Sequence, residues 1–131
     1  MNSISIKTPA KVNLYLNVSD KDQSGFHFIE TLFQSISIFD FITVSKGNYR
    51  KDSLKITGKF KSLLKQNDPK NLIFKAKDRF FEYSGITPEP LKISLEKNIP
   101  VSAGLGGGSS DAAGTIVALD KLFKTKFNLD D

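Results

Sequence analysis

No cysteine occurs in the 131 residues, which excludes disulfides, thiolate metal sites and thiol nucleophiles. No window of about 18 apolar residues occurs either, so no segment reads as a membrane-spanning helix. The opening Met1-Asn2-Ser3-Ile4 lacks the basic-then-apolar run of a signal peptide. Repeats, low-complexity tracts and linkers are missing too. The length fits one domain, large enough to bury about two-thirds of its unfolded surface. A cytoplasmic location is the expectation.

Charge of one sign is mildly in excess, at +5. Much of it lies in Arg50, Lys51, Lys55, Lys59, Lys61, Lys65 and Lys70. These are interleaved with Ser, Gly, Gln and Asn, without an arginine cluster or a repeated aromatic motif. That pattern reads as a solvated loop and strand edge, so nucleic acid is not the expected partner. A basic surface also attracts anionic nucleotides.

Hydrophobic periodicity outlines the fold. Ser3 to Lys7 reads as a short strand ended by Pro9. Val12, Leu14, Leu16 and Val18 then alternate with Asn13, Tyr15 and Asn17, the pattern of a half-buried strand with Lys11, Asn13 and Tyr15 on its polar face. Ser19 to Gly25 is a polar turn. Phe26 to Val44 reads as one bent strand, or two with a break near Asp40. Leu54 to Thr57 and Leu91 to Glu96 are further strands. Asp68-Pro69 reads as an N-cap and first helical residue, followed by Leu72, Ile73, Ala76, Phe80 and Tyr83 at helical spacing, with Gly85 as the stop. Ala112, Ala113, Ile116, Leu119 and Phe123 stripe a second helix beginning near Ser109. The fold class is α+β, a mainly antiparallel sheet with helices on one side.

One segment departs from ordinary element chemistry: Pro100-Val101-Ser102-Ala103-Gly104-Leu105-Gly106-Gly107-Gly108-Ser109-Ser110-Asp111-Ala112-Ala113. Four glycines in five positions weaken any regular element, so they point to an unusual backbone path or a close approach. Ser109 and Ser110 are able to N-cap the helix that follows. A strand, a glycine loop and a helix N-terminus together aim free N–H groups at one point, which suits a phosphate chain. The P-loop template fails, because no lysine stands in the loop. The dinucleotide template fails as well, because Ser109 stands where its third glycine is needed. Asp111 competes with phosphate for the helix dipole; it either points away or shares a magnesium ion with the phosphates.

Pro-x-x-x-Gly-Leu-Gly-Gly-Gly-Ser-Ser-Asp-Ala-Ala resembles the ATP loop of the GHMP kinases. Pro9-Ala10-Lys11-Val12-Asn13-Leu14-Tyr15-Leu16 and Gly25-Phe26-His27-Phe28-Ile29-Glu30-Thr31-Leu32-Phe33 resemble two further segments of one branch of that family. That branch phosphorylates 4-diphosphocytidyl-2-C-methyl-D-erythritol, or CDP-methylerythritol, in non-mevalonate isoprenoid biosynthesis. The resemblance implies an N-terminal domain like ribosomal protein S5 domain 2, with ATP and Mg2+ as cosubstrate and cofactor. It implies Lys11 beside the acceptor hydroxyl, Asn13 in the substrate pocket, and Phe26 stacked on cytosine with His27 hydrogen-bonded to it. It further implies the triphosphate on Gly104 to Ser110, within a loop from Pro100. By residue type alone, Lys11 also suits a strand edge, Phe26 a core and His27 a surface.

Two departures stand out. Ser24 replaces the aspartate that the branch has before its glycine, which is expected to loosen that turn. The family's second signature, with its aspartate near the acceptor hydroxyl, and its C-terminal domain lie beyond Asp131. The expectation is therefore a GHMP kinase N-terminal domain over residues 1–131, inactive or nearly so alone, with an uncovered sheet surface able to self-associate. Homoserine or mevalonate kinase, and an S5-like RNA-binding domain, are the alternatives.

Overall fold

The computed structural model describes residues 2–127. Six main elements follow one another: β1 (Ser3–Lys21), β2 (His27–Lys46), β3 (Ser53–Thr57), α1 (Leu72–Ser84), β4 (Leu91–Glu96) and α2 (Gly107–Phe123). The strands form one sheet in the order β1-β2-β4-β3. The β1–β2 and β2–β4 pairs are antiparallel and β3–β4 is parallel. Alternation puts Ile42 and Val44 of β2, Leu54 and Ile56 of β3, and Leu91, Ile93 and Leu95 of β4 on one buried face. Ile73, Phe80 and Phe81 of α1 and Ala118, Leu119 and Leu122 of α2 close that core. Burying each larger side chain contributes about 1.5–3 kcal/mol. Phe80, Phe81, Phe123 and Phe127 add an aromatic cluster with ring centroids 5.4 to 5.9 Å apart.

Pro9 does not end the first strand. β1 lies at the sheet edge, where a residue without an N–H is tolerated, and the chain passes Pro9 with a register shift before Ala10. Opposite it, Pro9 pairs with Phe39 and Ala10 with Ile36, so Ser37 and Ile38 bulge out of β2. The break expected near Asp40 is this bulge within a single strand. Beyond it β1 and β2 continue as a two-stranded ribbon. Leu14, Leu16 and Val18 were expected to be half-buried; they are exposed, Leu14 by 62%. No third element among the described residues covers the ribbon, and Phe28, Ile29 and Phe33 stand exposed with them.

Both helices also differ from their expected starts and faces. Asn71, not Asp68, caps α1, its side chain accepting from the Ile73 amide. Asp68 instead closes a preceding turn, accepting from the Lys70 amide. Gly85 ends α1 as expected, but Phe81 takes the buried place expected for Tyr83. In α2 the inward stripe is Asp111, Gly114, Thr115, Ala118, Leu119 and Leu122, while Ala113 and Ile116 face outward. Polar partners beneath the helix bring Asp111 inside, and Thr115 follows with its hydroxyl donating to the Asp111 carbonyl, turning the helix about one residue from its most apolar face.

Candidate functional site

The segment from Pro100 enters α2 through Gly106, whose φ of 71° places it in the left-handed region that a Cβ disfavours. Ser109 and Ser110 do not cap the helix; they lie inside its first turn, and no side chain caps Gly106. The first amide satisfied within the helix is that of Ser110, which donates to the Gly106 carbonyl at 2.9 Å. The amides of Gly107, Gly108 and Ser109 therefore have no acceptor among the described residues. Free amides and the positive end of α2 suit this point to an anion.

Pro100 to Ser109 all line a cavity of about 430 Å³, whose opposite wall includes Leu64, Asn71 and Leu72. Ser110 follows, half-buried on α2. Lys65 and Lys70 also line the cavity and form no ion pair among the described residues. Its two carboxylates are engaged elsewhere, Asp68 with the Lys70 amide and Asp111 in the interior.

Lys11 of β1 is fastened to this loop. Its amide donates to the Leu105 carbonyl at 2.9 Å. A Cβ on Gly106 would lie 3.1 Å from Lys11 Cγ and 3.2 Å from Cε, so the lysine stem lies across that glycine. Lys11 Nζ donates to Asn13 Oδ1 at 2.5 Å, and Asn13 Nδ2 donates to Thr31 Oγ1 at 2.7 Å. Thr31 spends its single hydroxyl proton on the Tyr15 carbonyl at 2.7 Å, so it is an acceptor toward Asn13 and fixes that amide's orientation. No described carboxylate pairs with the Lys11 ammonium.

Beneath the loop sits an ion cluster. Lys97 Nζ donates to Asp40 Oδ2 at 2.5 Å and to Asp111 Oδ2 at 2.8 Å, and all three side chains are at most 4% exposed. Asp40 Oδ1 accepts from the amides of Asn98 and Ile99, and Asp111 Oδ1 accepts from the Thr8 hydroxyl. Every buried side-chain polar atom there has a partner. Burial pushes the Asp111 carboxyl up to about 6; Lys97 opposes that rise and Asp40 adds to it. Asp111 points away from the anion site rather than toward it.

Phe26 and His27 stand at the far tip of the ribbon. Their turn is held by Asp22, whose Oδ1 accepts from the Ser24 amide, the Ser24 hydroxyl and the Phe26 amide at 2.8, 2.6 and 3.0 Å. The Ser24 hydroxyl and these amides hold the Asp22 carboxyl below the usual carboxylate range. Ser24 therefore reinforces the turn that it was expected to loosen. Phe26 is 76% exposed, with its ring free. His27 Nδ1 faces the Ser19 carbonyl at 2.8 Å, so Nδ1 carries a proton and, in a neutral ring, Nε2 is an acceptor.

Residues 71–131 match the family described as GHMP kinases N terminal domain. The matched stretch holds α1, β4, the glycine loop and α2. It is 42% identical over 125 residues to the 4-diphosphocytidyl-2-C-methyl-D-erythritol kinase of Syntrophus aciditrophicus, covering 95% of this chain and 43% of that protein. The kinase of the same name from Acinetobacter baylyi is 38% identical, with 97% and 44% covered. A crystal structure of 4-(cytidine 5'-diphospho)-2C-methyl-D-erythritol kinase superposes with a TM-score of 0.73 at 36% identity, covering 96% of this chain and 43% of that one. Mevalonate kinase of Methanococcus jannaschii shares the fold, with a TM-score of 0.71 at 21% identity over 97% of this chain and 42% of that one. The chain thus spans less than half the length of these relatives.

The structure brings Lys11, Asn13 and the loop from Pro100 to Ser110 together. It does not bring Phe26 and His27 to them. Lys21, which pairs with His27, lies ten residues beyond Lys11, about 33 Å of strand contour. Sequence reasoning missed the Lys97, Asp40 and Asp111 cluster and the Thr31 link. The available signals were a charged residue flanked by phenylalanines at Asp40 and a lysine ending the Leu91 to Glu96 alternation.

Proposed function

We propose that residues 1–131 are the ATP-binding domain of a kinase that transfers the γ-phosphoryl group of ATP to the 2-hydroxyl of CDP-methylerythritol. The observation that carries the proposal is the fastening of Lys11 to the loop through Leu105 and Gly106. It sets a lysine ammonium beside a cradle of free amides, the arrangement that in-line phosphoryl transfer requires. The acceptor oxygen attacks the γ-phosphorus as its bond to the β,γ-bridging oxygen breaks. Lys11 places positive charge against the equatorial oxygens, and Asn13, oriented by Thr31, holds the lysine and the polyol.

Gly104 to Ser110 take the triphosphate, and Lys65 and Lys70 favour its charge from the opposite wall. At the ribbon tip Phe26 stacks on cytosine, and Nε2 of a neutral His27 accepts from its amino group. The substrate would then lie along the ribbon between tip and loop. Magnesium suits the site only with ATP present, because the lining carboxylates are engaged and no cluster of three acidic or histidine ligands occurs among the described residues. The hydroxyls of Ser109 and Ser110 would hold it with the phosphates, and it would supply charge neutralisation on the transferring group. No described carboxylate stands against Lys11 to take the acceptor proton, so the 131-residue chain alone is expected to bind ligands without turnover.

Calorimetric titration of the chain tests the proposal. CDP-methylerythritol and, separately, an ATP analogue with magnesium should each bind, with Phe26→Ala weakening only the first. A folded chain that ignores both ligands refutes the proposal.

A further inference from the structure

We propose that Lys97 is a positioning residue for the phosphate cradle, its buried ammonium fixing the first turn of α2 from beneath. The inference rests on the ATP-binding proposal above and concerns the same cradle. Lys97 stands just after β4, three residues before Pro100, where the chain turns toward the loop. Its ammonium joins Asp40 of β2 to Asp111 of α2, at 2.5 and 2.8 Å. Asp40 also holds the amides of Asn98 and Ile99, and Asp111 holds Thr8 of β1. One cation therefore ties the chain entering the loop and the helix leaving it to two neighbouring strands.

The fit at Gly107 places the ammonium at the cradle rather than elsewhere in the core. A Cβ on this first helical residue would lie 2.8 Å from Lys97 Nζ and 2.9 Å from Ile99 Cγ2. The ammonium is thus packed directly under the residue that begins the run of free amides. The loop has no lysine of its own, and the Lys97, Asp40 and Asp111 cluster under it carries no net positive charge, so it acts on the loop by holding the backbone in place. A buried ion cluster is a poor source of stability compared with apolar packing of similar volume, so its value here lies in geometry. Moving the ammonium should disturb phosphate binding before it disturbs the rest of the cavity.

The test compares an ATP analogue plus magnesium with adenosine, which shares the base and sugar but lacks phosphates. Asp111→Asn removes the carboxylate through which the ammonium holds the first turn of α2 and keeps the Lys97–Asp40 pair, so the analogue should bind about fivefold weaker while adenosine is unchanged. Adding Lys97→Met to that variant should weaken the analogue about tenfold relative to Asp111→Asn, again sparing adenosine. Circular dichroism checks that each variant is folded. Equal losses for both ligands, or no change for the analogue, overturn the inference while the ATP proposal stands. A wild-type chain that ignores the analogue removes the ATP proposal and this inference together.

Discussion

Two glycine-to-alanine substitutions in one helix should move stability in opposite directions. In a helix interior, alanine is favoured over glycine by about 0.5–1 kcal/mol on conformational entropy alone. At Gly114 that gain is outweighed, because an added Cβ would lie 2.3 Å from Thr8 Cγ2 and 3.4 Å from Ile6 Cγ2. Thr8 cannot simply rotate away. Its hydroxyl is engaged with Asp111 Oδ1 at 3.0 Å and the Asp40 carbonyl at 3.3 Å. Helix and strand must separate instead, and overpacking of this kind costs about 1–3 kcal/mol. Gly114→Ala should therefore lose about 1–2 kcal/mol net.

Gly108→Ala, whose Cβ would meet only the flexible end of Leu72 at 3.3 Å, should be neutral or gain a few tenths. Urea unfolding followed by circular dichroism measures both. Thr8→Ser keeps the hydroxyl and deletes the clashing methyl, so it should rescue most of the loss in the Gly114→Ala background. That coupling appears as a double-mutant interaction energy of about 1 kcal/mol. A Gly114→Ala chain as stable as wild type, or a loss that Thr8→Ser does not relieve, refutes the packing argument.

Three further outcomes are expected. The folded-state pKa of Asp111, raised to about 6 from 3.8, means that the folded chain holds this proton more tightly than the unfolded chain. Stability should therefore fall by a few kcal/mol as pH rises from about 4 to about 6, and Asp111→Asn should abolish that slope in unfolding titrations. Asp22 and Asp120, whose pKa values are lowered, contribute with the opposite sign below that window. Phe26→Ala should weaken cytidine-ligand binding by about 1–3 kcal/mol in calorimetry, yet leave the unfolding free energy within about 0.5 kcal/mol because the ring is exposed. Asn71→Ala should cost about 1 kcal/mol by removing the α1 cap, measured by urea unfolding, where Asp68→Ala costs less.

Local chemistry alone determined the elements whose signals do not depend on distant partners. The alternation of Leu91, Ile93 and Leu95 made β4, and Gly85 stopped α1. Glycine density between a strand and an alanine-rich helix marked the anion loop, because backbone freedom and free amides are properties of a short segment. The order of the three motifs that carry the GHMP resemblance was likewise a property of the chain.

Tertiary contact decided the rest. Pro9 continues a strand because β1 lies on an edge, and edge position is invisible locally. Leu14, Leu16 and Val18 alternate as if half-buried, yet among the described residues no element covers the ribbon. Periodicity states only that one side is apolar, not that something packs on it. The inward face of α2 was misread for the converse reason: Asp111 is polar and only Lys97 and Thr8, outside the helix, make its burial affordable, while Thr115 turns its hydroxyl back to the Asp111 carbonyl. A buried charge is legible only with its partner, and these partners meet 14 to 103 residues apart along the chain.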